Sequence, residues 1–75
     1  MESLELINLG KKIKYFRTEL LLSQEELAFK CSFDRTYISL LERGKRNPSY
    51  KNLLKLSQGL EISLSQLCQS VEKAE

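Results

Sequence analysis

Arg35, Thr36 and Ser39 are the residues whose types and spacing offer the clearest chemistry in this chain. They follow Asp34, whose carboxylate can cap a helix. At helical spacing all three leave the axis on the side opposite Ile38 and Leu41. Arginine presents a planar fork of donors that matches guanine O6 and N7 together. Threonine offers a hydroxyl and a methyl group, the latter suited to the methyl of thymine. Tyr37, between them, can pack its ring and give its hydroxyl to a phosphate, or sit half-buried between helices. Leu40 lies near the same face, against a thymine methyl or inside the fold. Arg43, Lys45, Arg46 and Asn47 come next and suit contacts to a phosphate backbone. Arg46 can instead reach a base.

The elements that must hold these side chains are legible in the capping residues and the apolar spacing. Ser23 begins a capping box. Its hydroxyl can accept from a first-turn amide while Glu26, three residues on, reaches back to the Ser23 amide. Leu27, Ala28 and Cys31 make one apolar helical face, with Ala28 the small residue where helices cross closely. Cys31-Ser32-Phe33 reads as a tight turn anchored from below by Phe33. The next helix turns Ile38 and Leu41 inward and stops at Gly44, since glycine takes the left-handed conformation of a helix end without steric cost. Before this pair, residues 3–20 read as a helix with Leu6, Leu9, Ile13, Phe16 and Leu20 on one stripe and Lys11, Lys12 and Lys14 off it. Gly10 costs that helix about 1 kcal/mol relative to alanine, so the helix is expected to be weak or frayed there. After the pair, Pro48 pushes Asn47 into an extended conformation. Ser49 can cap a helix over about 50–58, with Leu53, Leu56 and Leu60 inward and Gly59 at its end. Ser63 and Gln66 form a second capping box, opening a helix over about 64–72 that carries Leu64, Leu67, Cys68 and Val71. The expectation is a single all-α domain over residues 1–75, built of five helices.

Composition sets bounds. A hydrophobic content of 41% suits a folded domain rather than a disordered tail. With 75 residues the core is small, and stable when helices pack well or chains associate. The formal net charge is +2, but residues 35–55 hold six basic residues against one acid, a net +5, on an otherwise near-neutral body. That segment suits a phosphate-facing surface. Taken alone, such a run is also the solvated face of a helix; its coincidence with Arg35 to Asn47 favours the first reading. There is no histidine, which excludes His-based triads and His-ligated metal sites. Cys31 and Cys68, without a C-x-x-C pair, cannot supply a zinc site. Both read as small buried apolar residues rather than a disulfide. Glu25 and Glu26 are first-turn carboxylates favoured by the helix dipole, not an acid/base pair. Three scattered glycines make no phosphate loop. No enzyme, cofactor, metal or small-molecule ligand is expected. With no apolar run of about 18 residues and no positive start of a signal peptide, a cytoplasmic protein without a membrane span is the default.

Ser23-Gln24-Glu25-Glu26-Leu27-Ala28, Tyr37-Ile38-Ser39, Glu42-Arg43-Gly44 and Asn47-Pro48-Ser49 jointly resemble the DNA-binding domains of the lambda-repressor/Cro-like regulators, the XRE family. The likeness runs from about Gly10 to Leu67. Asp34-Arg35-Thr36-Tyr37-Ile38-Ser39 is more similar still to the controller proteins of restriction–modification systems. The resemblance implies a lambda-repressor-like fold with a central helix-turn-helix whose second helix enters the major groove of double-stranded DNA. It implies a sequence-specific transcription regulator, a homodimer on (pseudo)palindromic operator sites, and through the second match the controller of a restriction–modification system. It assigns Gln24 to a phosphate, the alternative being a solvated residue. It also implies that Arg17 and Glu42 form a partly buried ion pair that orients the recognition helix, the alternative being that both are solvated. Related regulators dimerise through the late region, where Leu54, Ile62, Leu64 and Val71 remain as unassigned apolar residues. The family has glycine where Leu21 and Ser32 stand. Leu21 cannot take the left-handed conformation cheaply, so either the backbone differs there or burial of Leu22 carries the strain. The competing reading is a protein-interaction module, such as an antitoxin or adaptor, that grips a helical partner through the late apolar surface.

Overall fold

The computed structural model describes residues 3–72, with side chains as far as Gln69. The described residues form five helices and no strand: α1 Leu4–Glu19, α2 Gln24–Cys31, α3 Arg35–Glu42, α4 Tyr50–Gly59 and α5 Leu64–Glu72. Local chemistry explains where they begin. Ser3, Ser23, Asp34 and Ser49 each accept from an amide of the following first turn. At Ser23 the box closes both ways, with Ser23 Oγ accepting from the Glu26 amide at 3.0 Å and Glu26 accepting from the Ser23 amide at 2.7 Å. Ser63 and Gln66 repeat the pattern at the head of α5. Each cap contributes about 1 kcal/mol. That matters for α2 and α3, eight residues each, because helices so short do not persist alone.

The apolar faces meet in one core. Leu9 and Ile13 of α1, Leu27, Ala28 and Cys31 of α2, Ile38 and Leu41 of α3, Leu56 of α4, Leu60 just after it and Leu67 of α5 are all buried. Helix α1 lies against α3 and α5, α2 against α3 and α4, and α4 against α5. Helix α3 is thereby gripped by two neighbours at once.

Helix α1 is continuous through Gly10, so the expected fraying is corrected. A Cβ at Gly10 would lie 2.4 Å from the carbonyl oxygen of Leu41 and 2.6 Å from that of Glu42. The residue is glycine because two backbones touch there. Ala28 is buried as expected, but close approach depends equally on Gly10 and on Gly59. A Cβ at Gly59 would fall 2.5 Å from Cys31 Sγ, so α2 meets α4 through the thiol.

The helix ends share one closure. The amides of Leu22, Phe33, Lys45 and Ile62 donate to carbonyls five residues back, those of Arg17, Ala28, Leu40 and Ser57. This is the pattern in which a left-handed residue reverses the chain. The reversing residues are Leu21, Ser32, Gly44 and Glu61, with φ of 59°, 60°, 72° and 60°. The backbone at Leu21 therefore keeps the family's turn without its glycine. Leu21 itself is 90% exposed, whereas Leu22 packs against the core. Glycine is expected at such turns, and Glu61 carries no such signal; Gly59, two residues earlier, serves packing.

Candidate nucleic-acid interface

The first turn of α3 presents Arg35 and Thr36 to solvent. Asp34 holds that turn by accepting from the Thr36 amide at 2.9 Å. Ile38 and Leu41, at 0% and 1% exposure, fix the helix's rotation. Ser39 and Leu40 are half-buried. The chain then leaves α3 through Arg43, whose Nε donates to the Ser39 carbonyl at 3.4 Å. Gly44 follows, where a Cβ would come 2.9 Å from Ile7 Cα. Lys45, Arg46 and Asn47 are exposed on the loop to α4. The basic segment thus continues directly from the exposed end of α3 and its C-terminal loop.

Tyr37 is half-buried. Its ring meets Phe33 edge-on, with centroids 4.8 Å apart, and the Arg46 guanidinium stands 5.1 Å from its centre. The hydroxyl accepts from Asn52 Nδ2 at 3.0 Å. Lys55, one turn further along α4, stands 5.6 Å from the Phe33 ring. Sequence reading misses Asn52 altogether. It follows the cap Ser49 by three residues, and nothing local links it to a tyrosine fifteen positions earlier.

Arg17 and Glu42 pair as expected. Arg17 Nε donates to Glu42 Oε2 at 2.5 Å and Nη2 to Oε1 at 3.1 Å. The remaining Arg17 nitrogen, Nη1, donates to the Leu22 carbonyl at 2.7 Å. The side chains are 11% and 4% exposed. Gln24 belongs to the same network: its amide donates to Glu42 Oε1 at 3.0 Å. One hydrogen of that amide therefore faces the ion pair, where the family reading assigns the side chain to a phosphate. The network joins α1, the head of α2 and the end of α3.

Leu54, Ile62 and Leu64 are half-buried, and Ile62 packs against the core rather than standing free. The side chain of Val71 lies outside the described residues. Burial pushes the Cys31 thiol up from its ordinary pKa, against the opposing pull of Lys30 and Lys55. No helix among the described residues is long and apolar enough to cross a membrane.

Residues 13–67 match the family model described as helix-turn-helix. Control protein C.MunI of a Mycoplasma species is 50% identical over 68 residues, spanning 89% of this chain and 92% of that protein. The restriction–modification controller protein C.AhdI from Aeromonas hydrophila superposes with a TM-score of 0.85 and 42% identity, over 87% of this chain and 98% of the other. The controller protein C.Esp1396I, solved as a tetramer in complex with its natural 35-base-pair operator, gives a TM-score of 0.85 and 40% identity over 96% and 95%. On the match over residues 13–67 and these relatives, the chain belongs to the helix-turn-helix family, in its lambda-repressor/Cro-like XRE branch.

Proposed function

We propose that this chain is the controller of a restriction–modification system, a homodimer that binds (pseudo)palindromic operator DNA and regulates transcription. The carrying observation is the first turn of α3, where Arg35 and Thr36 stand exposed on a helix whose rotation is locked by buried Ile38 and Leu41. Support comes from the fold shared with a controller protein solved on its operator. In this reading Arg35, Thr36 and Ser39 face base edges in the major groove. Arg43, Lys45, Arg46, Asn47 and the Tyr37 hydroxyl meet the backbone, and Gln24 offers a phosphate its second amide hydrogen. Two copies joined through the region of Leu54, Ile62, Leu64 and Val71 set their α3 helices about one DNA turn apart.

The test is selection of duplexes from a random pool, followed by titration of the winner at several salt concentrations. Selected sequences should carry two related half-sites. Six to ten phosphate contacts per dimer would give a log–log salt slope of about −5 to −9. A pool that yields no preferred sequence, with a slope near zero, would overturn the proposal and leave the antitoxin or adaptor reading in its place.

A further inference from the structure

Asn52 lies on α4, yet its side chain reaches back to α3. Its Nδ2 donates to the Tyr37 hydroxyl oxygen at 3.0 Å. A phenol has a single hydrogen and accepts through its oxygen. Because Asn52 occupies the oxygen as donor, the hydrogen must point to some other acceptor. Among the described residues the hydroxyl donates to no protein group. The same ring carries the Arg46 guanidinium on it, 5.1 Å from its centre, and is braced from another side by Phe33. Tyr37 is therefore held at its hydroxyl by Asn52 and at its ring by Phe33, next to a guanidinium of the candidate interface.

We propose that Asn52 is a positioning residue for DNA recognition: its amide aims the Tyr37 hydroxyl hydrogen at a DNA acceptor and fixes the ring against which Arg46 rests. The inference rests on the DNA-binding reading above. Without the amide, the hydroxyl can rotate among several orientations and the ring loses its tether. Both must then be ordered when DNA binds, which lowers affinity. Asn52 acts through Tyr37, so its effect must vanish when the hydroxyl is removed.

A double-mutant cycle on the full chain tests this, using the duplex that the parent selects. Asn52→Ala should weaken operator binding about fivefold per half-site, as expected for loss of one oriented hydrogen bond. In a Tyr37→Phe background, which keeps the ring and removes the hydroxyl, the same change should cost less than about twofold. Asn52→Ser, too short to reach the phenol, repeats the cycle independently. Melting curves of all the proteins accompany the titrations, since a merely structural role would lower affinity alongside stability in both backgrounds. Equal losses in both backgrounds, or none in either, would overturn the inference while leaving the DNA reading intact. A parent that selects no duplex would overturn the DNA reading and this inference with it.

Discussion

Glu42 is a carboxylate that only its partners make tolerable at 4% side-chain exposure. Arg17 meets it with a two-point fork and Gln24 adds a third donor. Glu42→Ala strands the Arg17 charge and should lower stability by about 3 kcal/mol in urea unfolding. The preferred operator should stay the same, because the pair lies behind α3 rather than on its exposed turn. A variant with the parent's midpoint would mean that the pair is solvated. Arg17→Lys should recover part of the loss at most, since a lysine cannot fork to Glu42 and also reach the Leu22 carbonyl. Arg35 belongs to a different class. It faces solvent, and as a guanine reader its change to alanine should cost about 1–3 kcal/mol per half-site and relax preference at a single base pair. Lys45→Ala should weaken all sequences alike and flatten the salt slope by about one for each phosphate it no longer neutralises. A competition over every single-base variant of the operator separates the two. Uniform weakening with Arg35→Ala would make Arg35 a phosphate clamp and pass the guanine to Arg46.

At the level of elements, four helix ends close in the same way, yet glycine occupies the reversing position in one of them. Leu21→Gly relieves a left-handed leucine and gives up almost no burial, so it should stabilise the fold by about 1 kcal/mol. An unchanged unfolding midpoint would argue that the exposed leucine has compensating contacts. Gly10→Ala should act in the opposite sense. Its methyl would enter the α1–α3 crossing 2.4 Å from a carbonyl oxygen, forcing a backbone shift that costs about 1–3 kcal/mol. The pair of substitutions shows what a sequence can disclose. The caps Ser23, Asp34, Ser49 and Ser63 are legible because capping is local, and the helices they open start where their spacing says. The outward turn at Arg35 and Thr36 is legible for the same reason, through the inward pull of Ile38 and Leu41. Gly10 is not, because a glycine inside a helix reads as a defect until the crossing partner is known. The Glu42 contact of Gln24 and the whole role of Asn52 are missed because their partners lie eighteen and fifteen residues away. The Arg17–Glu42 pair, more distant still in sequence, is legible through family resemblance alone.

For the whole molecule, the proposed dimer sets the working size. Sedimentation at micromolar concentration and physiological salt should report twice the chain mass of 8.7 kDa. Leu64→Glu should shift it toward the single chain by placing a charge in an apolar contact. A parent sedimenting as one chain with DNA binding intact would defeat the dimer. The small core has one further property, set where Cys31 Sγ fills the space that a Gly59 Cβ would need. A sulfur packed against a neighbouring helix in a residue 4% exposed has little room for an adduct while the helices remain closed, and its raised pKa keeps the reactive thiolate scarce. Alkylation of Cys31 should therefore follow the parting of α2 and α4. Its rate is a clock for that opening, started by the reagent and slowed by anything that holds the two helices shut.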